Sequence, residues 1–145
     1  MKPECIKTGI NAQGVLIASD GMPYAKLAHP RTAGTFSRVL GKYVRQEKVI
    51  DLIDAIEKRT LLPAQRLEII APMMRFKGRI QVGADADITI FDPNTVLDKA
   101  TFEKGLAFSK GIEYVIVNGF FILKNGKTVP NVFPGQPIYG KYKKQ

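Results

Sequence analysis

The run Val15-Leu16-Ile17-Ala18 is apolar without a break and has polar residues on both sides, the pattern of a strand covered on both faces. Ahead of it, Cys5, Ile6, Gly9 and Ile10 recur at helical spacing and predict a short helix that Gly9 weakens. From Gly21 to Gly34 the chain reads as loop, with Pro23, Pro30 and Gly34 as punctuation. Thr35 is suited to cap a helix running to about Gln46, whose Val39, Leu40, Tyr43 and Val44 form one stripe. Val49, Leu52, Ile53 and Ile56 predict a second helix, with Asp51 and Asp54 near its positive end. Pro63 opens a third helical turn over 64–67.

The pattern changes near Gly78. Ile88, Ile90, Val115, Val117, Phe121 and Leu123 alternate with period two, and Asn118-Gly119 and Asn125-Gly126 are turn dipeptides that tolerate positive φ. The first pair predicts a hairpin joining Ile112–Val117 to Phe120–Lys124, within an antiparallel unit over 78–130. After Pro134 the tail is expected to be extended. The expected division is therefore 1–70, a strand with helices, and 71–145, a small β-sheet domain with its tail.

Composition narrows the function classes. At 145 residues the chain is too short for a closed eight-unit barrel, which needs roughly 200 or more. Its 45% hydrophobic and 24% charged content is that of a globular domain. No apolar run nears the ~20 residues of a membrane span, and Met1-Lys2-Pro3-Glu4 leads into no apolar signal region. The one cysteine, Cys5, fits a reducing, cytoplasmic setting and is expected to be a buried free thiol. The net charge of +9 is spread over both halves and clusters only at Lys141, Lys143 and Lys144, so a solvated tail is expected and no nucleic-acid partner.

The chemistry concentrates in Ser19-Asp20-Gly21 and His29-Pro30-Arg31. A buried strand that delivers a carboxylate at its carboxyl end is how barrel enzymes present catalytic groups. An Asp-Gly pair alone is more often a turn. One histidine cannot make a metal site. Asp85 and Asp87, in Gly83-Ala84-Asp85-Ala86-Asp87, are read as structural residues of a turn entering a strand.

These motifs, with Gly34-Thr35-Phe36-Ser37-Arg38-Val39-Leu40, Leu62-Pro63-Ala64-Gln65-Arg66-Leu67, Gly78-Arg79-Ile80, Ala86-Asp87-Ile88, Phe91-Asp92-Pro93, Ala100-Thr101-Phe102-Glu103 and Val117-Asn118-Gly119, resemble in order the C-terminal part of the D-aminoacylase family. These are N-acyl-D-amino-acid deacylases of the amidohydrolase superfamily. The resemblance covers nearly the whole chain, and Met1 falls where such enzymes have an internal helix. It implies an α/β fold: the final strand–helix unit of a TIM-like barrel beside the small antiparallel sheet of a composite β-sandwich. It implies hydrolysis of the amide C–N bond of N-acyl-D-amino acids by a zinc-activated water. Asp20 would be the catalytic base and lie within reach of the metal. Arg31 would bind the substrate's α-carboxylate, and His29 would stand beside it as a supporting donor or loop-stabilising side chain. The family's His-x-His pair, its further histidines and its cysteine or modified-lysine ligand lie upstream of the matched region. The chain alone is accordingly expected to bind no zinc tightly and to be inactive, working with a complementing barrel chain. The alternative is a non-catalytic binding or self-associating module. Ala18 in place of Gly before Ser-Asp-Gly, Lys104-Gly105 in place of Asp-Pro after Phe-Glu, and the apolar 69–76 connection depart from the family pattern.

Overall fold

The computed structural model describes residues 2–22 and 28–141. Packing gathers the chain into two units, each built from two segments: 1–59 with 92–111, and 60–91 with 112–145. A single boundary near residue 70 does not describe this organisation. Composition reports where one kind of secondary structure gives way to another, not which segments pack together.

In the first unit, α1 spans Pro3–Asn11, with proline in its first turn, where a missing N–H costs nothing. Ile6 and Ile10, one turn apart, pack against the buried cluster Val39, Tyr43, Ile50 and Ala55. Cys5, one position from Ile6, is turned off that face and is exposed, which corrects the expectation of a buried thiol. The expected strand at 15–18 is also corrected. The segment pairs with no strand, and Ile17 donates its N–H to the Lys58 carbonyl at 2.9 Å. A strand in a parallel sheet needs neighbours on its edges, and the described residues of this unit supply none.

α2 runs Arg31–Arg38 and starts four residues before the expected cap. Pro30 fixes the backbone at the helix entrance, and Thr35 sits inside the helix, its hydroxyl donating to the Arg31 carbonyl at 2.9 Å. The helix continues in π geometry over Val39–Gln46, ending where the apolar stripe predicts. There Arg45 Nη1 donates to the carbonyls of Pro93 (3.0 Å) and Val96 (2.7 Å), tying the second segment of the unit to the first. α3 follows over Leu52–Glu57.

Just past α3, Lys58 is buried, with 8% of its surface exposed. Its ammonium donates to the carbonyl of Ile10 at 2.9 Å and to that of Ala12, placing a cation at the negative end of α1. No carboxylate neutralises it by a direct ion pair among the described residues, so backbone oxygens carry the interaction. Lys58→Met keeps most of the stem but strands two carbonyls. It should lower stability by about 2 kcal/mol in urea unfolding followed at the first unit.

In the second unit, α4 spans Leu61–Glu68, beginning two residues before Pro63, and a 3₁₀ turn covers Pro72–Phe76. The sheet has the order β1 (Ile88–Phe91), β2 (Ile112–Val117), β3 (Phe120–Lys124), β4 (Lys127–Thr128), all antiparallel. The β2–β3 hairpin has the expected limits. Asn118 (φ +48°) and Gly119 (φ +82°) are both left-handed, the turn that matches strand twist, and Asn125 and Gly126 repeat it between β3 and β4. One four-stranded sheet is formed among the described residues, and a facing sheet that would make it a sandwich is not. Over 134–140 the chain has no regular secondary structure, while Lys143 and Lys144 lie outside the described residues, as does Pro23.

Lys77 fastens the approach to β1. Its ammonium meets Asp85 at 2.9 Å and Asp87 at 2.5 Å, and the other Asp87 oxygen accepts the Asn118 N–H at 2.7 Å. Both acids flagged by their spacing thus serve the turn. Partial burial opposes ionisation of Asp87, but its bonds to Lys77 and Asn118 outweigh that and hold its pKa below the ordinary 3.8. Between the folded and unfolded pKa values the unfolded chain binds more protons, so this stabilisation is complete above about pH 4 and fades as the pH falls through the folded value. Asp87→Asn should flatten the acid limb of the second unit's stability-against-pH curve, measured by urea unfolding from pH 2 to 6.

Candidate active site

Asp20 ends the extended apolar segment with its backbone in the left-handed region, φ +48°. Such a conformation is uncommon for a residue other than glycine, and short polar side chains tolerate it best. The residues around it explain why it persists. Gly21 lies so close to α2 that an added Cβ would stand 2.7 Å from Thr32 Cα. The Gly21 N–H donates to Ser19 Oγ at 3.3 Å. From the first turn of α2, Arg31 reaches back with two bonds: Nε to the Asp20 carbonyl at 2.9 Å and Nη2 to its carboxylate at 2.8 Å.

The pair is open to solvent, with 84% of the Asp20 side chain and 48% of the Arg31 side chain exposed. Such a contact adds little stability, since water and salt screen it. Its value is geometric. The guanidinium grips main chain and side chain of Asp20 together and leaves Nη1 without a partner among the described residues.

His29 completes the cluster. The Arg31 N–H donates to its Nδ1 at 3.1 Å, which in the neutral ring leaves the proton on Nε2. The ring stands edge-on to Phe102, with centroids 5.1 Å apart. A cleft of about 450 Å³ opens here, lined by His29, Arg31, Arg38, Tyr43 and Phe102 among others. Arg38 is held by Asp98 through Nε at 2.9 Å and Nη2 at 2.8 Å, so both arginines of the cleft are paired with a carboxylate. Phe102 and Tyr43 are members of this cluster that motif reading does not single out as site residues. They come from separate segments, and only folding brings Phe102 against the imidazole and Tyr43 to the same cleft.

The three site residues expected from the sequence therefore lie together. A metal centre does not. Among the described residues no three His, Cys, Asp or Glu side chains approach closely enough to hold an ion. Asp20 is engaged by Arg31, the Nδ1 of His29 is engaged as an acceptor, and Cys5 sits on α1. A zinc ion needs about four donors, and these residues do not fit it by themselves.

No protein-family model matches the chain. Among curated proteins it is 43% identical over 104 residues to the N-acyl-D-glutamate deacylase of Alcaligenes xylosoxydans xylosoxydans, covering 72% of this chain and 20% of that protein. The D-aminoacylase of the same organism matches over the same length at the same identity. The backbone superposes on the crystal structure of a D-aminoacylase with a TM-score of 0.86 at 33% identity, over 95% of this chain and 28% of that one. The chain belongs to the D-aminoacylase family. It spans about a fifth of the length of its curated relatives. A second solved D-aminoacylase-family relative, the N-acyl-D-glutamate deacylase of Bordetella bronchiseptica, was determined with zinc and a phosphonate mimic of the tetrahedral intermediate. It matches with a TM-score of 0.83 at 35% identity, over 94% of this chain and 27% of that one. A D-aminoacylase has also been described as having a binuclear metal centre. No helix among the described residues is long and apolar enough to cross a membrane.

Proposed function

We propose that this chain is the C-terminal segment of an N-acyl-D-amino-acid deacylase and brings a base and a carboxylate clamp to a site completed by other residues. The convergence of Asp20 and Arg31, eleven positions apart, at the entrance of α2 carries this reading. Amide hydrolysis needs a group that takes a proton from water and returns one to the leaving amine, and a positioned carboxylate can do both. The substrate's α-carboxylate calls for a planar cation with paired donors, which Arg31 supplies. His29, with its proton on Nε2, offers a further donor on the same cleft. The zinc found with the Bordetella relative requires ligands beyond those assembled here, so Asp20 would be one ligand among several brought by another segment, and a complementing barrel chain is the partner this reading requires.

The test is reassembly. The purified chain with added zinc should show no hydrolysis of N-acetyl-D-amino acids, and mixing it with a polypeptide carrying the preceding part of a D-aminoacylase should restore turnover. Turnover by the chain alone that disappears in Asp20→Asn would overturn the need for a partner. A second reading, a non-catalytic self-associating module, is favoured by the unpaired 15–18 segment, where Val15 and Leu16 are 37% and 39% exposed. Light scattering of the chain alone distinguishes the two: stable self-association supports the second, a monomer the first.

A further inference from the structure

The two Asn-Gly turns of the sheet are alike in backbone and unlike in side chain. Asn118 (φ +48°) and Asn125 (φ +50°) each precede a left-handed glycine. Each glycine N–H is hydrogen-bonded, Gly119 to the Ala86 carbonyl at 3.1 Å and Gly126 to the Glu113 carbonyl at 2.9 Å. The difference lies in the amides. The Oδ1 of Asn125 accepts the hydroxyl of Tyr114 from the neighbouring strand, whereas the exposed side chain of Asn118 has no partner among the described residues.

We propose that Asn118 is a site of spontaneous covalent modification in the folded protein, and that Tyr114 protects Asn125 from the same reaction. The Gly119 nitrogen attacks Cγ of Asn118. An N–Cγ bond forms, the Cγ–Nδ2 bond breaks, and ammonia leaves with the proton lost from the Gly119 amide. Water then opens the resulting five-membered imide at one carbonyl or the other, giving aspartate or isoaspartate. No other reactant is needed. Glycine permits the attack because no Cβ shields its nitrogen. The side chain must first swing its Cγ over that nitrogen, which Asn118 is free to do and Asn125 can do only after releasing Tyr114. The consequence is local and large. The new carboxylate arises on the residue whose N–H is held by Asp87 at 2.7 Å, and isoaspartate adds a backbone atom to a two-residue turn that sets the β2–β3 register.

The experiment follows the native chain in mildly alkaline buffer, digested with trypsin at intervals. Peptides 111–124 and 125–127 separate the two sites, and each conversion appears as a gain of about one dalton. Asn118 should convert roughly fivefold faster than Asn125, the ratio expected when one ordinary hydrogen bond must open first. In concentrated urea the two rates should become equal, and in folded Tyr114→Phe the Asn125 rate should rise to that of Asn118. Equal rates in the native chain, or a ratio that urea leaves unchanged, would overturn the assignment. The urea comparison decides the matter even where Tyr114→Phe does not fold.

Discussion

Asp20→Asn should reduce kcat of the reassembled enzyme by at least ~10²-fold while leaving the fold of the first unit intact. Asparagine has nearly the same shape, tolerates the left-handed backbone at φ +48°, and still offers an oxygen to Arg31 Nη2. What it cannot do is hold a proton between water and the leaving amine. Arg31→Lys makes the complementary prediction. A lysine keeps the charge but loses the planar pair of donors, so KM for N-acetyl-D-amino acids should rise more than kcat falls. Steady-state kinetics on the mixed segments separate the two effects. Retention of full kcat in Asp20→Asn would remove the base from this chain.

The second large effect is structural and begins at a residue with no chemistry. Gly105 lies against the main chain just ahead of His29, where an added Cβ would stand 1.6 Å from the Ala28 carbonyl oxygen and 2.5 Å from its carbon. Neither atom is the far end of a flexible side chain, and Ala28 itself is only 3% exposed. Gly105→Ala therefore has to push apart two backbone segments, at a cost of about 3 kcal/mol or more. Because His29 follows directly on Ala28 and Arg31 two positions later, the displacement should also loosen the grip on Asp20. Urea unfolding reads the stability loss, and the Arg31 Nε–H signal in nitrogen-correlated NMR reads the loosening. Gly9→Ala is the control in the same unit. A Cβ there meets nothing within 4 Å, and in the interior of α1 it should stabilise by about 0.5–1 kcal/mol.

The elements legible in the sequence are those that short-range rules dictate. α1, the stripe ending at Gln46 and the β2–β3 hairpin all sit where spacing and turn chemistry put them. The elements that depart from the local pattern depend on something farther away. Thr35 is a good capping residue, yet the helix starts at Arg31 because Pro30 already presents the required backbone. The 15–18 segment has the composition of a central strand and no strand to pair with, so composition alone overstated it. Cysteine is among the residue types most often buried, yet the face of α1 that Ile6 and Ile10 occupy turns Cys5 outward.

The candidate site divides along the same line. Asp20, His29 and Arg31 are readable because motif order ties them to a family, and they lie within twelve positions of one another. Lys58, Phe102 and Gly105 had no such signal. Lys58 reads like any surface lysine until α1 delivers two carbonyls to it, and Phe102 matters only where the His29 ring meets it.

By itself the sequence determined α1 and the β2–β3 hairpin, which follow from side-chain type and near-neighbour spacing, while its ordered motifs carried the resemblance to the D-aminoacylase family. Tertiary structure alone decided which segments share a unit and that Arg31 grips Asp20 through both main chain and carboxylate. Those outcomes depend on distances between residues far apart in the chain, which packing sets and local pattern does not encode.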